Sequence, residues 1–215
     1  MAHFYAKCVP KIIMLSTNNQ IIESIKKKRK GNLVFANDFT LFGTDYAIRH
    51  SLSRLSKNGM LVRLSPGIYL YPKTDKDGDI IYPTINEIMK QIMKRDRAKI
   101  IPTGLYALNA LGLSTQVPMR LIFLTDGAAR ILKIGKLRIK LQKTVAKNLA
   151  YKSEICVLVI FALKEIGKGN ANEEELQKIY TALAHESEEK ITHDALLAPN
   201  WISAIMLNYL KNKNE

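Results

Sequence analysis

The stretch Thr44-Asp45-Tyr46-Ala47-Ile48-Arg49-His50-Ser51-Leu52-Ser53-Arg54-Leu55-Ser56-Lys57-Asn58-Gly59 decides the fold of the first part of this 215-residue chain. A threonine hydroxyl can accept one of the backbone N–H groups that the start of a helix leaves without a partner. Asp45 in the first turn and Lys57 in the last complement the helix dipole, and Gly59 suits the position just past a helix end. At about 100° per residue, Ile48, Leu52 and Leu55 gather on the side that packs inward. Tyr46, His50, Ser53, Arg54 and Lys57 fall on the opposite side, with Arg49 on the flank. No acidic residue interrupts that outer face after Asp45, and its side chains can donate to a base edge or a phosphate. Arginine pairs bidentately with guanine in the major groove, while serine and histidine are adaptable readers. A merely solvated face would more often mix glutamate with lysine at four-residue spacing.

Upstream, Ser16 and Thr17 cap a helix carrying Ile21, Ile22 and Ile25. It is predicted to end near Gly31, with Lys26-Lys27-Lys28-Arg29-Lys30 in its last turns. Those cations suit a helix C-terminus or a phosphate contact, and the stretch alone favours neither. Leu33-Val34-Phe35 is extended. Asn37 caps a brief helix with Phe39, Leu41 and Phe42, closed by Gly43. A short helix, a glycine-containing turn and a longer helix make a helix-turn-helix. Downstream, Met60 to Leu64 alternates as a strand, Ser65-Pro66-Gly67 suits a type II turn, and Ile68 to Tyr71 alternates again. A hairpin directly after the third helix is a wing. From it Arg63, Tyr69 and Tyr71 face a DNA backbone, or the tyrosines cover the domain's own core. The expected DNA-binding set is therefore Thr44, Tyr46, Arg49, His50, Ser53, Arg54, Lys57, Arg63 and Tyr69.

The expected fold class is α+β: an N-terminal winged helix-turn-helix over residues 16–73, followed by a mixed α/β C-terminal domain over residues 85–215. Residues 1–15 form an N-terminal extension, and Met14 is a candidate start that would make residues 1–13 optional. Residues 74–84, with the polar run Thr74-Asp75-Lys76-Asp77-Gly78-Asp79, read as a linker. The C-terminal part begins with a helix bearing Ile85, Ile88, Met89, Ile92 and Met93. A second helix starts near Pro102, with Leu105, Leu108 and Leu111 inside. Strands follow at 121–125, 130–132 and 137–141, then helices at 153–166, 172–184 and 199–210.

The net charge of +14 is unevenly spread: +10 in residues 1–100, +7 in 101–150 and −3 in 151–215. Such a field draws polyanions. A second basic stretch runs from Arg120 to Lys147 and includes Arg130, Lys133, Lys136, Arg138, Lys140 and Lys143. Arg138, Lys140 and Gln142 alternate with Leu137, Ile139 and Leu141 and so share one strand face. That face is a nucleic-acid or acidic-partner surface, extending a DNA footprint in a salt-sensitive way, or a plain solvated face.

Other chemistries find little support in the residues. No apolar run reaches the roughly 18–20 residues of a membrane span, and Ile12 to Leu15 is too short for a signal-peptide core, so a cytoplasmic location is expected by default. Cys8 and Cys156 match no metal or redox spacing. Asp75, Asp77 and Asp79 lack the closing glutamate of a calcium loop, and His185 and His193 have no zinc-type spacing. No Walker loop, nucleophile elbow or dinucleotide fingerprint occurs, and the basic middle has only Asp126 among its carboxylates. No catalytic residue, metal or cofactor is expected.

The runs Phe35-Ala36-Asn37-Asp38-Phe39, Ala47 to Leu55 and Gly59 to Pro72 resemble the winged-helix part of AbiEi-type antitoxins. The run Ile101-Pro102-Thr103-Gly104-Leu105-Tyr106-Ala107-Leu108-Asn109-Ala110-Leu111-Gly112-Leu113, followed by Val117-Pro118 and Phe123-Leu124-Thr125, resembles the opening of their C-terminal domain. The resemblance runs from about residue 16 to 145. It implies a bacterial type IV toxin–antitoxin, or abortive-infection, system. In that family the winged helix represses its own operon at promoter repeats, and the C-terminal domain counters a nucleotidyltransferase-type toxin. By that likeness Arg49, His50, Ser53 and Arg54 contact bases or phosphates, Arg63 is a wing contact, and two copies pair on a repeated site. Two alternatives stand beside it: a protein-interaction module that neutralises a toxin by direct binding, and a nuclease fused to a winged helix.

Overall fold

A computed structural model describes residues 16–116 and 118–213. The N-terminal extension, with its candidate start at Met14 and with Cys8, lies outside the described residues, as does Val117. The fold is mixed helix and strand, and the chain divides into two compact units, residues 1–81 and 82–215.

In the first unit, α1 spans Thr17–Lys26, and the Ser16 hydroxyl accepts from the Asn19 N–H at 3.3 Å. It stops several residues short of Gly31 because the chain turns out to pair with a strand. Gly31 N–H donates to the Tyr71 carbonyl at 2.7 Å and Tyr71 N–H donates to the Asn32 carbonyl at 3.0 Å. Lys27 to Lys30 therefore follow the helix instead of forming its last turn. β1 (Leu33–Phe35) leads into a 3-10 helix, Ala36–Phe42. Asn37 lies inside that helix; the Asp38 carboxylate holds its start by accepting from Phe35 N–H at 3.3 Å. α2 spans Asp45–Lys57, with the Thr44 hydroxyl accepting from Ala47 N–H at 3.3 Å. β2 (Val62–Ser65) and β3 (Ile68–Leu70) form a hairpin closed at Pro66-Gly67, where Gly67 has a φ of +73° that a glycine adopts without strain. β3 is central in the antiparallel order β1-β3-β2. Ile21, Ile25, Val34, Phe39, Ile48, Leu52, Leu55, Leu61 and Tyr69 pack into one core.

The polar run read as a linker is a small hairpin, β4 (Lys73–Thr74) with β5 (Ile80–Ile81). Asp75 builds its turn, its carboxylate accepting from Asp77 N–H at 3.0 Å and Asp79 N–H at 2.8 Å.

Gly43 joins the 3-10 helix to α2 at close quarters. A Cβ there would lie 2.7 Å from the Thr17 hydroxyl oxygen, which itself donates to the Phe42 carbonyl at 2.8 Å. Gly43→Ala is expected to weaken the first unit by about 1–2 kcal/mol through overpacking and loss of that bond. Hydrogen exchange of the α1 and α2 amides measures it; unchanged protection would mean that Thr17 rotates away at no cost.

The second unit opens with α3 (Ile85–Asp96), started by a capping box between Thr84 and Glu87. A four-stranded sheet follows: β6 (Ile100–Pro102), β7 (Arg120–Thr125), β8 (Arg130–Ile134) and β9 (Leu137–Lys143), in the order β6-β7-β9-β8. β7 and β9 are parallel and the other pairs antiparallel. Pro102 ends a strand instead of opening a helix: α4 is Gly104–Ala110, and Leu105 is 42% exposed. α5 (Glu154–Ile166) is buried almost all round and centres the core, with α6 (Glu173–Leu183), α7 (Glu188–Leu197) and α8 (Asn200–Lys213) around it. α7 is an element beyond the three helices expected there. Cys156, buried within α5, has its thiol pushed up to about 11 by that burial, so it is protonated and inert at neutral pH.

The start of α5 is tied to the loop before α7. The Ser153 hydroxyl accepts from Cys156 N–H at 3.1 Å and donates to the Glu186 carboxylate at 2.6 Å. That donation, with bonds from Ser187 N–H and Lys190, pulls the Glu186 carboxyl from 4.5 down to about 2. A depressed folded value means stability that is whole above the unfolded value and is lost as pH falls through the folded one. The wild-type chain is expected to lose stability between pH 4.5 and about 2 partly on this account, and Glu186→Gln to flatten that stretch. Urea midpoints across the range measure it, and equal slopes in the two proteins would remove Glu186 from the acid response.

Candidate nucleic-acid interface

α2 turns Ile48, Ser51, Leu52 and Leu55 into the core of the first unit. The helical period then sets the opposite face outward. Tyr46 is 79% exposed, Arg49, His50, Arg54 and Lys57 are exposed, and Ser53 is half-buried. Tyr46 and His50 stack one turn apart, with ring centroids 6.0 Å apart and planes at 23°. Arg49 bonds to Asp45 at 3.3 Å, yet both side chains are about three-quarters exposed (76% and 77%), so water competes for the pair. Among the described residues no ion pair engages Arg54 or Lys57, and both side chains are exposed.

Thr44 is exposed and serves as the α2 cap. Arg63 is exposed on β2, opposite Tyr69 in the strand register, and a register shift interrupts the pairing between Arg63 and Ser65. Tyr69 departs from the expected set. It is 4% exposed and belongs to the core, because β3 is flanked by strands on both sides and all three of its residues are buried. Tyr71 is half-buried.

The groove beside Tyr46, His50 and Arg54 has a second wall, formed by Ser16, Thr17 and Asn18 at the start of α1. The positive end of that helix dipole thus faces the same hollow as the arginine and histidine. Helix caps are visible in sequence, but the approach of α1 to α2 is a tertiary fact. Of the cations after α1, Lys28 is engaged by Asp38 at 2.8 Å.

The second basic stretch divides. Lys133, Arg138 and Lys140 are exposed on one face of the sheet, Lys136 is exposed in the β8–β9 turn, and Lys143 is exposed at the end of β9. Arg130 does not join them. Its parity on β8 is that of the buried Leu132 and Ile134, and its guanidinium pairs with Asp96 and donates to the Ala128 carbonyl at 3.3 Å. Arg120, which opens the basic stretch, lies on the exposed face.

A cavity of about 430 Å³ lies within the second unit, with Met89, Met93, Phe123 and Val157 in its apolar wall and Asn86, Lys90, Tyr106 and Glu154 as polar groups. Burial, then the charge of Glu154, raises the Tyr106 phenol, which keeps it a neutral donor. Among the described residues no group of three or more histidine, cysteine, aspartate or glutamate side chains is placed to hold a metal ion, and no helix is long and apolar enough to cross a membrane.

One family model matches residues 20–191, which spans the α2 face, the hairpin, the four-stranded sheet and the start of α7. The chain belongs to the DUF6088 family. That family is described as one of unknown function. No curated protein matches the chain.

Proposed function

We propose that this DUF6088 protein binds duplex DNA through a winged helix-turn-helix, with α2 as the helix that enters the major groove and the β2–β3 hairpin as the wing. One observation carries the reading. α2 buries a complete apolar side and leaves outward a side of arginine, histidine, tyrosine, serine and lysine that takes no part in the core. The groove shared with the α1 start and the exposed Arg63 on β2 support it. Phosphate contacts from Lys57 and Arg63 supply affinity, and Arg49, His50, Ser53 and Arg54 supply base contacts. Tyr69 is left out of this interface.

On the likeness to AbiEi-type antitoxins, the biological reading is a repressor of its own operon that pairs two copies on promoter repeats and acts as the antitoxin of a type IV system. Its functional partner is then a nucleotidyltransferase-type toxin. No cofactor or catalytic group enters this reading.

The test is a titration of the full chain against its own upstream region and a scrambled duplex at two salt concentrations. The upstream region is expected to bind more tightly, by an excess that survives added salt, because base contacts release few counterions while phosphate contacts release many. Equal binding that fades together with salt would overturn sequence reading by α2.

A further inference from the structure

The outward face of the β7-β9-β8 sheet carries its charges and apolar groups in rows set by strand register. β7 places Arg120 beside Arg138 of β9, and β8 places Lys133 on the other side of Arg138. The next row is Ile122, Lys140 and Ile131. Neighbouring strands lie about 4.8 Å apart, and residues two apart on a strand about 6.7 Å. Three cations thus line up across roughly 10 Å, beside a row with an isoleucine at each end. Ile122 is 45% exposed and Ile131 is 55% exposed, whereas Leu121, Phe123, Leu132, Ile139 and Leu141 on the reverse side are buried.

Like charges directly opposite on adjacent strands repel. Arg120, Arg138, Lys133 and Lys140 form no side-chain hydrogen bond or ion pair among the described residues. The nearest carboxylate in sequence, Asp126, is engaged with Lys99 N–H at 2.8 Å. The fold therefore holds an uncompensated cationic row against exposed β-branched apolar groups.

We infer that this sheet face docks an acidic protein surface whose carboxylates meet Arg120, Arg138 and Lys133 and whose apolar residues cover Ile122 and Ile131. Charge complementarity names the sign of the partner, and the isoleucines name its class. Single-stranded nucleic acid is gripped by aromatic side chains stacked on bases, and these two rows have no aromatic residue. A duplex backbone offers nothing apolar to bury two isoleucines. Arginine is enriched at protein interfaces, where exposed apolar side chains beside it are covered by the partner. This surface lies on the second unit and does not depend on the α2 reading.

The test uses the full chain and two fluorescein-labelled peptides of about 12 residues, one alternating glutamate with leucine and one alternating glutamate with serine, read by anisotropy. The glutamate–leucine peptide is expected to bind at least about tenfold more tightly. Ile122→Ser with Ile131→Ser should erase that preference, and Arg120→Ser with Arg138→Ser should weaken both peptides about tenfold or more. Arg54→Ala should change neither, which separates this surface from α2. All four sheet residues are exposed, so thermal melting of the variants is expected to match the wild type. Equal binding of the two peptides, or indifference to the sheet variants, overturns the inference. So does a scrambled duplex whose binding falls with the arginine pair and ignores the isoleucine pair, which would make the face a nucleic-acid surface.

Discussion

Asp194→Ala is expected to lower the stability of the second unit by about 2–5 kcal/mol, because two backbone donors lose their buried charged acceptor. Asp194 is fully buried at 0% exposure. Its carboxylate accepts from Lys152 N–H at 2.9 and 3.1 Å and from Ser153 N–H at 2.9 Å, and meets the His193 ring nitrogen Nδ1 at 2.8 Å. Alanine leaves the Lys152 and Ser153 N–H groups inside the protein with no acceptor, at the entrance to the helix that centres the core. Asp194→Asn keeps one oxygen and is expected to cost less, about 1–2 kcal/mol. Urea unfolding of the full chain measures both. An alanine variant within about 1 kcal/mol of the wild type would mean that water reaches those donors as soon as the carboxylate is gone.

Replacing Arg49, His50 and Arg54 together by alanine is expected to weaken binding to the upstream region at least about 100-fold, or about 2.7 kcal/mol. Arg54→Ala alone should cost about 1–3 kcal/mol if it pairs bidentately with a guanine. The scrambled duplex, held by phosphate contacts alone, should lose less. These side chains are exposed and contribute little to the core, so folding is expected to be unchanged. Arg49 gives up only a surface pair with Asp45. A folded triple variant that titrates like the wild type would move the interface off α2 altogether, while leaving the sheet-face inference untouched.

What could be read from the sequence follows what local rules encode. α2 was legible because a cap, a dipole-matched first and last turn and a full apolar period coincide within one segment. The same holds for α3, where Ile85, Ile88, Met89, Ile92 and Met93 fall on one face. Alternation leaves Tyr69 open to a DNA contact or to the core because it presumes one wet face, and the core is where it lies: β3 is the middle strand of a sheet and all three of its residues are buried. The small β4–β5 hairpin was read as a linker because two-residue strands have no period; what organises it is one carboxylate, Asp75. α7 was missed because its buried positions are few, Ile191, Asp194 and Ala195, and one of them is charged. Its anchor is a bond to backbone 41 and 42 residues away.

The candidate sites divide in the same way. The outward face of α2 is a single-helix property and was available from spacing. The alternation of Arg138, Lys140 and Gln142 was equally local. Arg120 and Lys133 join them only through the parallel β7–β9 register and the β8–β9 hairpin, and register is a pairing between segments. Arg130 carries the opposite lesson: strand parity already placed it with Leu132 and Ile134, and charge alone had grouped it with the surface.

The placement of α5 has a consequence for how the protein is made. Its partners come from both directions along the chain: α4 at 104–110 before it, and α6, α7 and α8 out to residue 213 after it. A ribosome therefore releases this apolar helix well before the helices that cover its far side exist. Until Ile191, Ile202 and Met206 have emerged, the nascent chain carries an uncovered greasy surface. The first unit, whose core is complete by Tyr69, has no such interval and can fold while the rest is still being translated. Slow synthesis through the codons of α7 and α8 would thus expose the second unit, rather than the first, to chaperones or to aggregation.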